Sequence, residues 1–396
     1  MKKHFVFLRN PPKELVWGGL EKLVCEWFEH INYKQCRVSF VVGPGWRETY
    51  VKAFAARNLS IHVVETNLDQ SMSAFKKFLG MYGLLQKLHA DTCIFVQGRF
   101  LCFHFVHILA AWFVCWGRVY IHENLGAPKP YPRKSRKHFG FIPGLALWWY
   151  AQRAQTRLRA YFSKSTLAVS GGVKESLVNG WGYPEEKVLV SFHGIDLEQF
   201  FPSPDSFLEI RKRLDIDVES KVIIVSARLS PEKCINRAID AFDELADFDK
   251  TLELFILGSG PLENQLKDLA LRKKTRDRIK FFGHVDNVAE YLKAGNYFIL
   301  SSDNEGLGLS FLEAMASGLV CITTRCPGAM EIIQDGVNGF FAEKTSQGVR
   351  EALQKALALT PLQHQLVVDN GVNLVRMKFG LNNIRKTFSI LGVPYA

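Results

Sequence analysis

Short apolar runs alternate with longer segments of helical periodicity along nearly the whole chain, and this alternation constrains the fold more than any other feature. In the first half the runs are 4–8, 37–42 (RVSFVV), 61–64, 92–96 (TCIFV), 118–122 (RVYIH), 166–169 and 188–190. In the second half they are 221–226 (KVIIVS), 252–257 (LELFIL), 279–282, 297–300 (YFIL) and 319–323 (LVCIT). Helical patterns lie between most of them, at 19–30 and 149–163, then at 231–246, 261–274, 286–294, 308–317 and 346–358. Strands that are apolar throughout are covered on both faces, and strand-helix alternation builds parallel sheets. The prediction is an α/β protein of two Rossmann-like parallel-sheet domains facing a cleft.

A chain of 396 residues exceeds what one hydrophobic core usually serves. Its 47% apolar and 22% charged residues are ordinary globular composition. The proline-punctuated segment 196–206 (DLEQFFPSPDS) marks the boundary. The expected division is an N-terminal domain over 1–196 and a C-terminal domain over 205–376, with a tail of about 377–396 packing back onto the first. Ligands of open α/β sheets bind at the carboxyl ends of the strands.

The eight cysteines form no C-x-x-C pair and no zinc spacing, and several sit inside apolar runs. They read as reduced thiols of a cytoplasmic protein. The first residues show no signal peptide. The longest uncharged apolar run, Leu101 to Trp116 (LCFHFVHILAAWFVCW), has 16 residues. A bilayer span needs about 20, so this run reads as a buried or interfacial helix.

The formal net charge of +11 is unevenly placed. Residues 129–164 hold nine Lys/Arg, no Asp or Glu, and interleaved aromatics such as Trp148, Trp149, Tyr150 and Tyr161. Such a stretch suits the anionic inner face of a cytoplasmic membrane; its plain alternative is a solvated basic face. Nucleic acid is not expected, because no RRM, KH or zinc-finger pattern accompanies the charge.

Four places carry chemistry. Gly18-Gly19 precedes a helix near the N-terminus, where backbone can approach an anion. Arg228 follows the strand at 221–226, and Lys233 opens the next helix; together they suit a diphosphate. Gly258 and Gly260 follow a strand, but Glu263 replaces the third glycine of a dinucleotide fingerprint, so a tight turn accounts for them. The stretch 301–318 (SSDNEGLGLSFLEAMASG) places Glu305 in a loop, the backbone N–H groups of Gly306, Leu307, Gly308 and Leu309 at a helix start, and Glu313 inside the helix. A helix amino end attracts phosphate. Carboxylates instead accept hydrogen bonds from sugar hydroxyls. Read singly, Glu305 could serve the helix dipole and Glu313 a solvated face. Residues 215–217 (DID) look like a metal-binding D-x-D but fall at a helix-to-strand junction, and read as a turn.

Glu305 and Glu313, eight positions apart, resemble the E-x7-E motif of retaining glycosyltransferases of the GT4 family, which have the GT-B fold. The resemblance extends to GGLEKL (18–23), VSGGVKESL (169–177), VLVSFHGIDLEQFFP (188–202), ARLSPEKCINRAIDAF (227–242), LGSGPLENQL (257–266), FFGHVDN (281–287) and PGAMEIIQDGVNGF (327–340). It covers the second half almost throughout and the first half in patches. The sequence departs from the family at His193, usually Asn, and at Cys234, usually Gly.

The resemblance implies a C-terminal domain that binds a nucleoside-diphosphate sugar without a metal or other cofactor. It implies Arg228 and Lys233 on the diphosphate, Glu305 at the transferred hexose, Glu313 at the ribose, and His284 beside the base. Gly19 would reach the diphosphate from the other domain, and His122 would contact the sugar. The acceptor would be a glycan or lipid-linked sugar of lipopolysaccharide, capsule or exopolysaccharide synthesis. A sugar-nucleotide epimerase and a non-catalytic sugar-nucleotide-binding protein are the competing readings.

Overall fold

Apolar runs such as KHFVFLR and TCIFVQ have no polar face to turn toward water, and they form the interior strands of two fully parallel sheets. The computed structural model describes residues 2–9, 19–66, 73–97, 103–124, 143–202 and 204–396. These divide into two units: Met1–Phe192 with Ile384–Ala396, and His193–Asn383.

The first unit holds seven strands: β1 (Lys3–Arg9), β2 (Cys36–Val42), β3 (His62–Glu65), β4 (Thr92–Gln97), β5 (Val119–Glu123), β6 (Ser165–Ala168) and β7 (Val188–Val190). Their order across the sheet is β3-β2-β1-β4-β5-β6-β7. The helices used below are α1 (Gly19–Glu29), α2 (Arg47–Ala55), α3 (Ala74–Lys87), α4 (Phe105–Cys115) and α5 (Pro143–Phe162). One core joins Val6, Leu8, Phe95 and Ile121 of the sheet to Met81 and Leu85 of α3 and to Ile108 and Ala111 of α4. The end of the chain belongs to this unit. Phe388 packs edge-on against Trp27, Tyr395 bridges to Ile31, and the Ser191 and Thr387 hydroxyls share a 2.5 Å hydrogen bond.

The second unit holds β8 (Lys221–Ser226), β9 (Leu252–Leu257), β10 (Ile279–Gly283), β11 (Tyr297–Leu300), β12 (Val320–Thr324) and β13 (Phe340–Ala342), ordered β10-β9-β8-β11-β12-β13. In chain order this is the 3-2-1-4-5-6 arrangement of a doubly wound sheet, whose switch point falls between β8 and β11. The helix Ile235–Ala246 buries Ile235, Ala238, Ile239, Phe242 and Ala246, one stripe at helical spacing. Arg211 is buried at the base of this unit, where its guanidinium donates to the carbonyls of Asp217, Val218, Ser220 and Ala294 and to Asn296 Oδ1.

The strands lie within a residue or two of the expected runs. β13 had no expectation, because Phe340–Ala342 is too short to show a period. One expectation needs correction. Arg159, counted in the basic stretch 129–164, is fully buried and faces Glu123 at 3.9 Å. The run 101–116, read as a buried or interfacial helix, forms α4 over Phe105–Cys115, which buries Val106, Ile108, Ala110 and Cys115 and exposes Trp112 and Phe113. The chain passes between the units at Phe192/His193 and again at Asn383/Ile384, a few residues from the segments expected. Positions 129–142 and Gly18 lie outside the described residues. Among the described residues no helix is long and apolar enough to cross a membrane.

Candidate active site

The loops leaving β8 and β11 meet at the switch point of the second sheet. After β8 the chain runs through Arg228 to a single 3-10 turn, Pro231–Lys233. After β11 it runs through Ser301–Gly308 into the helix Leu309–Ala316. Backbone and side chain bind the two loops together. Asp303 N–H donates to the Glu232 carbonyl at 2.9 Å. The Ser301 hydroxyl donates to the carbonyls of Lys233 and Cys234. Arg237 donates to the Ser301 carbonyl at 3.0 Å and pairs with Asp303 at 2.8 Å.

Within this frame Lys233 Nζ lies 2.5 Å from Glu305 Oε1. The Ser302 hydroxyl donates to the same oxygen at 2.8 Å. Both bonds therefore fall on one side of the carboxylate. Arg228 reaches Glu232 Oε1 at 3.1 Å, and Ser230 donates to that oxygen at 2.8 Å. Each of the two cations thus sits on a carboxylate, and Glu232 stands in the turn that carries Lys233. Burial opposes ionisation of Glu232. The hydrogen bonds from its own backbone and Ser230, with the charges of Arg228 and Lys233, outweigh it and hold the carboxyl below its ordinary range. The hydrogen bond from Arg237 does the same for Asp303.

Three glycines make the close approach possible. A Cβ on Gly258 would stand 2.0 Å from the Ala227 carbonyl oxygen, and one on Gly260 2.5 Å from that of Leu229. The loop after β9 therefore buttresses the backbone on either side of Arg228, which is the structural use of these glycines. A Cβ on Gly328 would stand 2.4 Å from the Gly306 carbonyl oxygen, so the loop after β12 does the same for the stretch leading to Leu309.

The helix Leu309–Ala316 opens at Gly308, whose φ of 78° is left-handed, and no side chain caps it. Its first N–H groups are therefore not claimed by a cap. Glu313, in the second turn, is buried like Glu305. Cys234 adopts φ 47°, ψ 42°. That left-handed geometry favours glycine, so the departure at this position leaves a strained residue between Lys233 and the helix.

The structure thus brings Arg228, Lys233, Glu305 and Gly306–Leu309 together, with Glu313 on the helix that follows. His284 stands apart, at the end of the edge strand β10, with its half-exposed ring 3.7 Å from Asp286. In the first unit, Gly19 is the first residue of α1. His122 near the end of β5 is fully buried, its ring edge-on to Trp27 at 4.8 Å, and burial pushes its pKa down to about 3. Beside it, burial raises Glu123 to about 8 against the opposing charge of Arg159. Asp215–Asp217 form a turn, as read.

Sequence reasoning missed Glu232, Arg237, Ser302 and Asp303. Glu232 and Asp303 flank the residues that were found, and only the β8–β11 adjacency shows that they join. It also missed the buried Arg9–Glu21 pair, 2.7 Å apart, which ties the end of β1 to the first turn of α1.

Residues 206–369 match the family described as Glycosyl transferases group 1. An uncharacterized glycosyltransferase of Methanocaldococcus jannaschii is 28% identical over 241 residues, covering 60% of this chain and 61% of the relative. The alpha-monoglucosyldiacylglycerol synthase of Streptococcus pneumoniae is 31% identical over 175 residues, covering 42% of this chain and 39% of the relative. The matches span less than two thirds of the length of these curated relatives. Among solved structures, the Anabaena protein HepE in complex with UDP and glucose aligns over 98% of both chains, with a TM-score of 0.73 and 19% identity. That likeness establishes the fold, two parallel-sheet α/β units as in GT-B glycosyltransferases.

Proposed function

From the match of residues 206–369 to the Glycosyl transferases group 1 family, we propose that the chain is a retaining glycosyltransferase. It moves a hexose from a nucleoside-diphosphate sugar to a glycan or lipid-linked acceptor. The observation that carries this reading is the convergence of Lys233, Glu305 and, through Glu232, Arg228 at the carboxyl ends of β8 and β11. HepE, whose fold this chain shares, holds UDP and glucose in its structure, which supports a nucleotide-sugar donor.

In this reading the donor diphosphate takes over the two cations, which rest on Glu232 and Glu305 in the structure. Negative charge grows on that diphosphate as the glycosidic bond breaks, and fixed cations with an uncapped helix start stabilise it best there. No metal is needed for that charge. Glu305 keeps Oε2 outside its bonds to Lys233 and Ser302, which leaves it for a hexose hydroxyl. Glu313 accepts from the ribose. His284 lies beside the base. With no covalent nucleophile assigned, the acceptor hydroxyl attacks from the face the leaving group departs from, its proton passes to the departing diphosphate oxygen, and configuration is retained. The acceptor belongs to cell-surface glycan or glycolipid assembly, at the inner face of the membrane.

The test is a thermal-shift screen of UDP- and GDP-sugars followed by a transfer assay with and without acceptor. The expected result is stabilisation by one donor and a product that requires acceptor. Product without acceptor would reassign the chain as an epimerase, and binding without turnover as a non-catalytic binder.

A further inference from the structure

An outward helix face in water is normally polar, and α4 has no such face. Leu109, Trp112, Phe113 and, at the C-cap, Trp116 recur at i, i+3, i+4 and i+7, opposite the buried His107, Ala111 and Cys115. Trp116 is 86% exposed and Phe113 52%. This stripe continues sideways. Helix α3 packs against one flank of α4 and helix α5 against the other. Phe75 on α3 and Tyr161 on α5 are exposed to 71% and 70%. Ring contacts run unbroken across all three helices: Phe78–Phe113 at 6.1 Å, Phe113–Trp112 at 5.2 Å, Trp112–Phe162 at 5.7 Å and Phe162–Tyr161 at 5.1 Å. Lys187 fixes the far end. Its Nζ donates to the carbonyls of Ala160, Tyr161 and Ser163 and lies 5.7 Å over the Tyr161 ring. A contiguous exposed apolar patch of this kind marks an interaction surface.

Charge selects what it meets. Residues 73–88, 104–116 and 143–162, which span the three helices, contain no Asp or Glu. Lys76 and Lys87 are exposed on α3, eleven positions apart and so on one side of it, with Gly80 and Gly83 between them opening onto empty space. Arg157 is exposed on α5, and Lys164 just beyond it. A protein partner would be expected to meet some acidic group here. Tryptophan, tyrosine and phenylalanine among lysine and arginine, with no carboxylate on the three helices and Glu185 and Glu186 only at the rim beside Lys187, instead match the headgroup layer of an anionic bilayer.

We propose that the α3–α4–α5 face of the first unit is a docking surface for an anionic lipid bilayer, with Phe75, Phe113, Trp116 and Tyr161 entering the interface and Lys76, Lys87, Arg157 and Lys164 meeting the headgroups. This surface shares Arg157, Tyr161 and Lys164 with the basic stretch 129–164 and adds α3 and α4 to it. It stands independently of the donor site in the second unit.

The experiment is flotation of the full chain with phosphatidylcholine vesicles, with and without phosphatidylglycerol. The expected result is flotation with the anionic vesicles, weakened by high salt as screening requires. The triple variant Phe75→Ser/Trp116→Asn/Tyr161→Ser removes one exposed ring from each helix and leaves the buried faces intact. It should lose about tenfold or more in vesicle binding, with an unchanged melting temperature and an unchanged thermal shift from the donor sugar. The charge variant Lys76→Glu/Lys87→Glu should lose the preference for anionic lipid. The proposal is overturned if the wild type stays with the soluble fraction at low salt, or if the triple variant floats as well as the wild type. It is also overturned if sedimentation shows a wild-type dimer that the triple variant abolishes, which would assign the face to a second copy. None of these outcomes changes the donor assay, so failure of the docking surface and failure of the transferase reading are separable.

Discussion

Lys233 and Glu305 meet at 2.5 Å although 72 residues separate them. The contact exists because β8 and β11 are neighbours at the centre of a sheet whose chain order reverses there, so the loops at their carboxyl ends share one spot. Apart from the Ser302 hydroxyl on Glu305, the contacts around the pair secure those loops rather than the charges. Asp303, Ser301 and Arg237 bind one loop to the other, while Gly258, Gly260 and Gly328 admit a third and a fourth strand-end loop against their backbones.

In the proposed reaction, replacing Lys233 by alanine removes a cation that stabilises the departing diphosphate and leaves Glu305 buried with Ser302 as its remaining side-chain partner. Transfer should fall by about two to three orders of magnitude, the size of one lost preorganised electrostatic contact. The far-UV spectrum and the melting curve should stay close to wild type, because both sheets are untouched. Lys233→Arg should restore part of the activity. Wild-type turnover by Lys233→Ala would remove this pair from the mechanism.

Gly328→Ala tests the backbone support instead of the charges. Its Cβ would stand 2.4 Å from the Gly306 carbonyl oxygen and 2.5 Å from Leu307 Cα, both backbone atoms that cannot swing aside. Overpacking of this kind costs about 1–3 kcal/mol. Because the displaced atoms lead directly into Leu309, donor affinity should drop as well. Calorimetric binding of the nucleotide sugar and a denaturant melt on the same variant check the two effects together.

Much of this was legible in the sequence, and the reason is physical. Strands buried on both faces cannot hide their composition, so KVIIVS and LELFIL declare both the strand and the parallel sheet. Motif residues on loops after strands declare that they share a place, as Arg228, Lys233 and Glu305 do. What stays hidden depends on pairing across distance. Glu232 reads as one more surface acid until its carbonyl is seen accepting from Asp303. Arg159 reads as one more cation in a basic run until folding buries it beside Glu123. The outward stripe of α4 reads as core, because periodicity locates a stripe without saying which side of the helix meets the sheet.

Arg211 is the clearest stability determinant of the second unit. It is fully buried, and its guanidinium makes five hydrogen bonds to groups on three segments. Arg211→Ala would leave four carbonyls and the Asn296 amide oxygen without this donor and open a cavity. Its cost should be about 3–5 kcal/mol, the range for breaking a buried charged network. The check is a chemical denaturation curve in which the first unit's transition is unmoved.

The pH dependence of the first unit follows from groups far from the donor cluster. Burial lowers His122 to about 3 and His107 to about 4, against an ordinary 6.5. Both rings are therefore neutral in the fold and take up protons when it unfolds. Their contribution is fully present above pH 6.5 and is lost progressively as pH falls below it, toward those lowered values. Glu123 acts from the other side. Burial raises it from 4.5 to about 8, with Arg159 opposing, so the fold holds a proton that the unfolded chain releases. That contribution is complete below pH 4.5 and disappears as pH rises through about 8. Hydrogen exchange followed by unit should show the first unit losing protection as pH rises from 6.5 to about 8, where only Glu123 changes, and again as pH falls toward 4, where the two histidines outweigh it. His107→Phe should flatten the acid limb, since a ring that cannot be protonated gives the unfolded state no advantage. An acid limb of unchanged slope in that variant would mean that His107 does not drive it.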